Sequence, residues 1–195
     1  GDHHAGIILG EGFLGCSLLG DNYREYIEGH TSAPLVAGQK YLVRFWVSLP
    51  EGIMGGSDDL GVYFSNTYYS HNACSSQLMP VTPQLNYCGP CIMDTLNWVE
   101  LRWIYTATGG EQYLTIGNFK NDGSTTVCPL NCGSFNPYIY YYIDDVEISP
   151  ASANDCSYAI TTHTTNAGCA NNDGTATVEA VGCTSPYTYH WSTNA

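Results

Sequence analysis

The chain has 195 residues, with 5 Lys and Arg against 18 Asp and Glu, a formal net charge of -13. So acidic a surface excludes tracking along nucleic-acid phosphates and docking on anionic membrane, and it suits a cation such as Ca²⁺ or a neutral ligand such as a glycan. Twenty-one Gly and sixteen Tyr beside few Lys describe an extracellular β protein, and no apolar run nears the roughly 18 residues of a transmembrane helix.

In chain order, "AGIIL" and "NYREYIE" read as the first strands. In "YLVRFWVSL" Tyr41, Val43, Phe45, Val47 and Leu49 fall on one face and Arg44, Trp46 and Ser48 on the other, the period of a half-buried strand. "DDLGVYFS" groups Leu60, Val62 and Phe64, and "NWVELRWIYTA" groups Val99, Leu101, Trp103 and Tyr105. "TGGE" then supplies turn residues, and "QYLTIGNF" reads as the partner strand of a hairpin. "YIYYYIDDVEIS" closes the set with Val146 and Ile148 on one face. Short strands parted by Gly- and Pro-rich loops predict an all-β fold, an antiparallel β-sandwich of the jelly-roll kind over residues 1–149.

After Pro150 the texture changes. Residues 150–155 read as a linker, and 156–195 as the start of a second module with two Gly-punctuated strands, "GTATVEAVG" and "YTYHWST". Forty residues bury too little apolar surface to be stable alone, so Ile160, Val178, Tyr187, Tyr189 and Trp191 need cover from elsewhere. With no signal peptide before Gly1, an exported protein would be represented here by a mature or truncated chain.

Nine Cys punctuate the loops, the arrangement of bridges in an oxidising compartment. Cys88-Gly89-Pro90-Cys91 has the spelling of a thioredoxin active site, but that chemistry needs a helix starting at the first Cys to stabilise its thiolate. Only Ile92 to Asn97 separate the motif from the next strand, so no helix fits and a structural bridge is expected. The most local scheme pairs Cys88 with Cys91, Cys128 with Cys132 and Cys16 with Cys74, while each Cys could instead reach another loop. A four-thiolate zinc site from the two close pairs is the sharper alternative. In the tail Cys169 and Cys183 count as bridge-formers, and Cys156 has no assigned partner.

Asp144 and Asp145 interrupt a Tyr/Ile strand, where paired acids destabilise unless solvated or bound to a cation. Spacing alone favours an exposed strand end. Asp58 and Asp59 read as a solvated turn. Tyr68, Tyr69, Trp98, Tyr138 and Tyr140, with Trp46, are candidates for stacking on sugar faces, although most aromatics of such a chain serve the core. His3 and His4 would bind copper only beside a free amino terminus. No Gly-x-Ser-x-Gly, His-Glu-x-x-His or phosphate loop is present, and no acid pair for glycoside cleavage stands out.

"NYREYIEGHTSAPLVAGQKYLVRFWVSL", "GGEQYLTIGNF" and "YYYIDDVEIS" together resemble the carbohydrate-binding-module-like jelly roll of large secreted surface proteins from gliding, type IX-secreting bacteria, over about residues 5–149. In that family a strand ending in Phe-Glu comes first; it is absent here. The resemblance implies Ca²⁺ stapling with an Asp ligand from the "DDV" strand, hence Asp144 or Asp145. "CANNDGTATVEAVGCTSPYTYHWSTNA" is similar to about half of an SprB-type repeat of gliding-motility adhesins, which implies an Ig-like β module. Together they imply a non-enzymatic, secreted cell-surface adhesin or filament module whose partners are glycans or neighbouring subunits, even a homopolymer through strand exchange. The alternative is a carbohydrate-binding module of a larger polysaccharide-degrading enzyme.

Overall fold

The computed structural model describes residues 4–11, 22–53, 55–69, 78–129, 138–153, 155, 158–165 and 174–182. The strands are β1 (Ala5–Glu11), β2 (Ile27–His30), β3 (Lys40–Ser48), β4 (Gly55–Gly56), β5 (Gly61–Ser65), β6 (Leu85–Asn86), β7 (Val99–Thr106), β8 (Tyr113–Gly117), β9 (Cys128–Pro129), β10 (Tyr138–Pro150), β11 (Tyr158–Thr165) and β12 (Thr175–Gly182). One sheet has the order β1-β10-β3-β7-β11-β12 and the other β2-β8-β5-β6, with β4 and β9 forming a short separate pair. Leaving out that pair and the tail, the eight remaining strands run 1-8-3-6 and 2-7-4-5, the wrapped order of a jelly roll. All pairings are antiparallel.

The predicted faces of β3, β5 and β7 are the buried ones. Val43, Phe45, Val47 and Leu101 lie wholly inside with Ile139, Tyr141 and Ile143 of β10, against Val62, Phe64, Leu114 and Ile116 of the opposing sheet. Phe64 stacks on Tyr105 at 4.4 Å between ring centres, which locks one sheet against the other. Each such side chain contributes about 1.5 to 3 kcal/mol by leaving water.

Three local expectations are corrected. "NYREYIE" is a strand only from Ile27, because Arg24 turns inward there and is buried. β7 and β8 are not a hairpin: β7 pairs with β3, and β8 pairs with β2 and β5 in the other sheet. "TGGE" therefore carries the chain across the sandwich. Gly109 and Gly110 have φ of 103° and 92°, and Glu111 folds beneath them with a buried carboxylate. Third, Val146 and Ile148 do not share a face. The register of β10 on β3 slips between Asp144 and Glu147, leaving Val146 42% exposed while Ile148 packs on the core.

The tail is joined to the roll. Its strands β11 and β12 pair over eight residues, and Tyr158 and Ala159 of β11 pair with Arg102 and Leu101 on the edge of β7. Strand "GTATVEAVG" is found as β12, whereas "YTYHWST" lies outside the described residues. At the other edge of this sheet β1 pairs with β10 alone, so any preceding strand would add there.

Candidate functional site

The outer face of the larger sheet divides by chemistry. Alternation turns Arg44 and Trp46 of β3, Glu100 and Arg102 of β7, and Tyr140, Tyr142 and Glu147 of β10 away from the core. One half is ionic. Arg44 donates to Glu147 at 2.7 Å and to Glu100 at 3.3 Å, Arg102 also reaches Glu100 at 3.1 Å, and Asp155 lies 3.8 Å from Arg102. These cross-strand pairs hold Glu147 below its ordinary carboxylate range, chiefly through hydrogen bonds from Ser149 and Arg44.

The other half is aromatic. Tyr140 and Tyr142, two apart on β10, meet edge to face with centres 5.6 Å apart. His4 stands against Tyr142 at 4.4 Å and against Trp98 at 6.0 Å, so the row crosses from the start of β1 to the start of β7. Trp98 is 39% exposed at its end. Gly6 makes room for this arrangement: a Cβ there would overlap the Tyr140 ring, which leans across β1. Trp46 follows one step along, opposite Asp144 in register.

Of the residues singled out by sequence, Trp98 and Tyr140 therefore belong to one row, while Tyr68 and Tyr69 do not. Tyr68, 63% exposed, faces Tyr113 of the other sheet at 6.1 Å, and Tyr69 is placed by its backbone N-H donating to Glu28. The Tyr138 side chain lies outside the described residues. Two members were missed, Tyr142 and His4. Tyr142 was legible as the same-face neighbour of Tyr140 at i+2; His4 was not, since only the pairing of β1 with β10 brings it over.

Asp144 and Asp145 form the bulge of β10. Asp145 has φ of 49°, a left-handed conformation that Asp tolerates better than most residues, and its N-H donates to Asp144 Oδ1 at 2.8 Å. Among the described residues no three His, Cys, Asp or Glu side chains converge, so Ca²⁺ at this pair would draw most of its six to eight ligands from backbone and water. The Asp58-Asp59 turn is not a solvated one: Asp59 is buried, bridged by Lys120 and hydrogen-bonded by Thr126 N-H.

The CGPC loop is corrected too. Cys91 is bridged to Cys128 across 37 residues, with Cα atoms 6.3 Å apart, and Cys88 keeps a free, exposed thiol. The local Cys88-Cys91 pair fails because Tyr87 and Ile92, buried on either side, turn Cys91 toward β9. Cys16, Cys74, Cys132, Cys156, Cys169 and Cys183 lie outside the described residues.

No family model, no curated protein and no solved structure matches this chain.

Proposed function

We propose that the chain is a non-enzymatic module of a secreted cell-surface protein that holds a neutral glycan on the row Tyr140, Tyr142, His4 and Trp98. The observation carrying this reading is that row: four rings gathered from three segments on a solvent-facing sheet, with a glycine kept beneath Tyr140. Sugar faces stack on aromatic rings, and a chain of net charge -13 favours an uncharged polymer. Adjacent rings are inclined by 61° to 89°, so the surface is stepped. It suits a single soluble glycan chain better than a flat crystalline face. The resemblances to the jelly roll of type IX-secreted surface proteins and to the SprB-type repeat support placement in an adhesin or filament. A module attached to a polysaccharide-degrading enzyme would use the same row, and the adhesin-like tail favours the first. Ca²⁺ at Asp144 and Asp145 belongs to the same proposal, because the bulge sets two adjacent carboxylates at a kink beside Trp46.

The test is affinity electrophoresis of the full chain through a panel of neutral and acidic soluble polysaccharides. Retardation by at least one neutral polymer is expected, lost in Trp98→Ala and Tyr142→Ala. Unchanged mobility in every gel, or retardation untouched by both substitutions, would end the glycan reading.

A further inference from the structure

The free thiol of Cys88 is not isolated, because three residues away Cys91 is half of a disulfide. The loop between them bends at Gly89-Pro90 and is pinned at both ends. Tyr87 N-H donates to Leu60 O at 2.8 Å and Ile92 N-H to Ser57 O at 3.2 Å; Ile92 O in turn accepts the buried Tyr141 hydroxyl at 2.7 Å. The segment 88–91 is thus held as a short arch with both sulfur positions on it. Cys88 Sγ lies 3.6 Å from Asn86 O, an interaction weak enough to be given up. The Lys120 ammonium is within electrostatic reach of Cys88 and favours a thiolate there. The far sulfur, Cys128, stands on a strand of two residues whose sheet partner is the equally short β4. Little backbone pairing resists its release.

We propose that the Cys91-Cys128 bridge is an exchangeable latch, opened by Cys88. The Cys88 thiolate attacks Cys91 Sγ; the Cys91-Cys128 S-S bond breaks as the Cys88-Cys91 bond forms, and Cys128 leaves as the thiolate. Cys88 gives its proton to solvent and Cys128 regains one, so one thiol and one disulfide persist throughout and no external oxidant or reductant enters. The exchange replaces a tether spanning 37 residues with one spanning three and frees β9 from the arch. The sequence spelling that resembles a thioredoxin centre then marks an internal switch, with no substrate protein required.

The experiment uses the full chain, incubated without added thiol at pH 8.5, quenched in acid, alkylated and mapped by mass spectrometry without reduction. Expected is a second population in which Cys88 and Cys91 are bridged and Cys128 is alkylated, its share equal to the labelling lost at Cys88. Blocking Cys88 with iodoacetamide before the incubation tests the attacker without risking the fold, and Cys128 should then stay unlabelled. The proposal is overturned by complete Cys88 alkylation with every Cys91 still on Cys128, or by Cys128 labelling that survives the block. A Cys88-Cys128 bridge in place of Cys88-Cys91 overturns it as well.

Discussion

Glu25 closes the outer edge of β1 at Ile8: its backbone N-H donates to Ile8 O at 3.0 Å, and its Oε2 accepts Ile8 N-H at 2.9 Å. Tyr23 donates to the other carboxylate oxygen at 3.1 Å and holds it in place. A free strand edge invites pairing with another chain, and one carboxylate here occupies the groups such a strand would need. Glu25→Ala is expected to cost about 1 to 2 kcal/mol in chemical denaturation and to raise light scattering with concentration. A variant that stays monomeric at high concentration would show that the edge is blocked by something else.

Arg24 is the largest wholly buried side chain, and its guanidinium is fully occupied: Asp122 at 2.7 Å, Lys120 O at 2.7 Å, Tyr23 O at 2.7 Å and Thr125 Oγ1 at 3.1 Å. It ties the approach to β2 to the turn at Asp122–Ser124. Removing one partner of a buried pair strands the other, so Arg24→Ala should lose about 3 to 5 kcal/mol. Limited proteolysis should then cut near Asp122 first. A loss below 1 kcal/mol would contradict the burial.

Glu111 receives four donors: Tyr105 hydroxyl at 2.7 Å, Thr108 N-H and hydroxyl each at 2.6 Å, and Gly109 N-H at 2.7 Å. Burial by itself would raise its pKa, but the bonds from Thr108 and Tyr105 outweigh it and bring the value down from 4.5 to about 2. The folded value lies below the unfolded one, so the contribution to stability is complete above 4.5 and is lost as pH falls toward 2. Glu111→Gln should therefore be less stable than the parent at pH 7 by about 2 kcal/mol, with the gap closing between pH 4.5 and pH 2. A gap constant across that range would show that the carboxylate is not the ionised acceptor described.

Gly6→Val places a branched side chain where the Tyr140 ring lies. The ring is the mobile end of the contact and should swing aside, leaving stability within about 1 kcal/mol of the parent. Retardation by the bound polysaccharide should fall as far as in Tyr140→Ala. Full binding in Gly6→Val would remove Tyr140 from the row.

A chain ending at Pro150 uncovers β7 at Leu101 and Arg102, where β11 pairs. Both sheets of the roll remain, so the shortened chain should fold and then associate with rising concentration in sedimentation. A monomer at every concentration would mean that the two paired residues cover little.

What the amino-acid order determined by itself was which side chains face inward. Alternation in a strand is local, with period two, so Val43, Phe45 and Val47, or Val99, Leu101 and Trp103, were readable without knowing any partner strand. The all-β class followed from the same pattern. Tertiary structure alone decided everything that depends on distant segments meeting. It sent β7 and β8 to opposite sheets, because a turn sequence specifies a reversal and not which edge receives the next strand. It turned Val146 outward, since a single residue inserted at Asp145 shifts the phase of all that follows. It joined Cys91 to Cys128 in place of its near neighbour, because buried Tyr87 and Ile92 orient the arch. And it brought His4 to Trp98, 94 positions away in the chain, through the stacking of β1, β10, β3 and β7 side by side, a contact set by hydrogen-bonded strand order to which no local pattern refers.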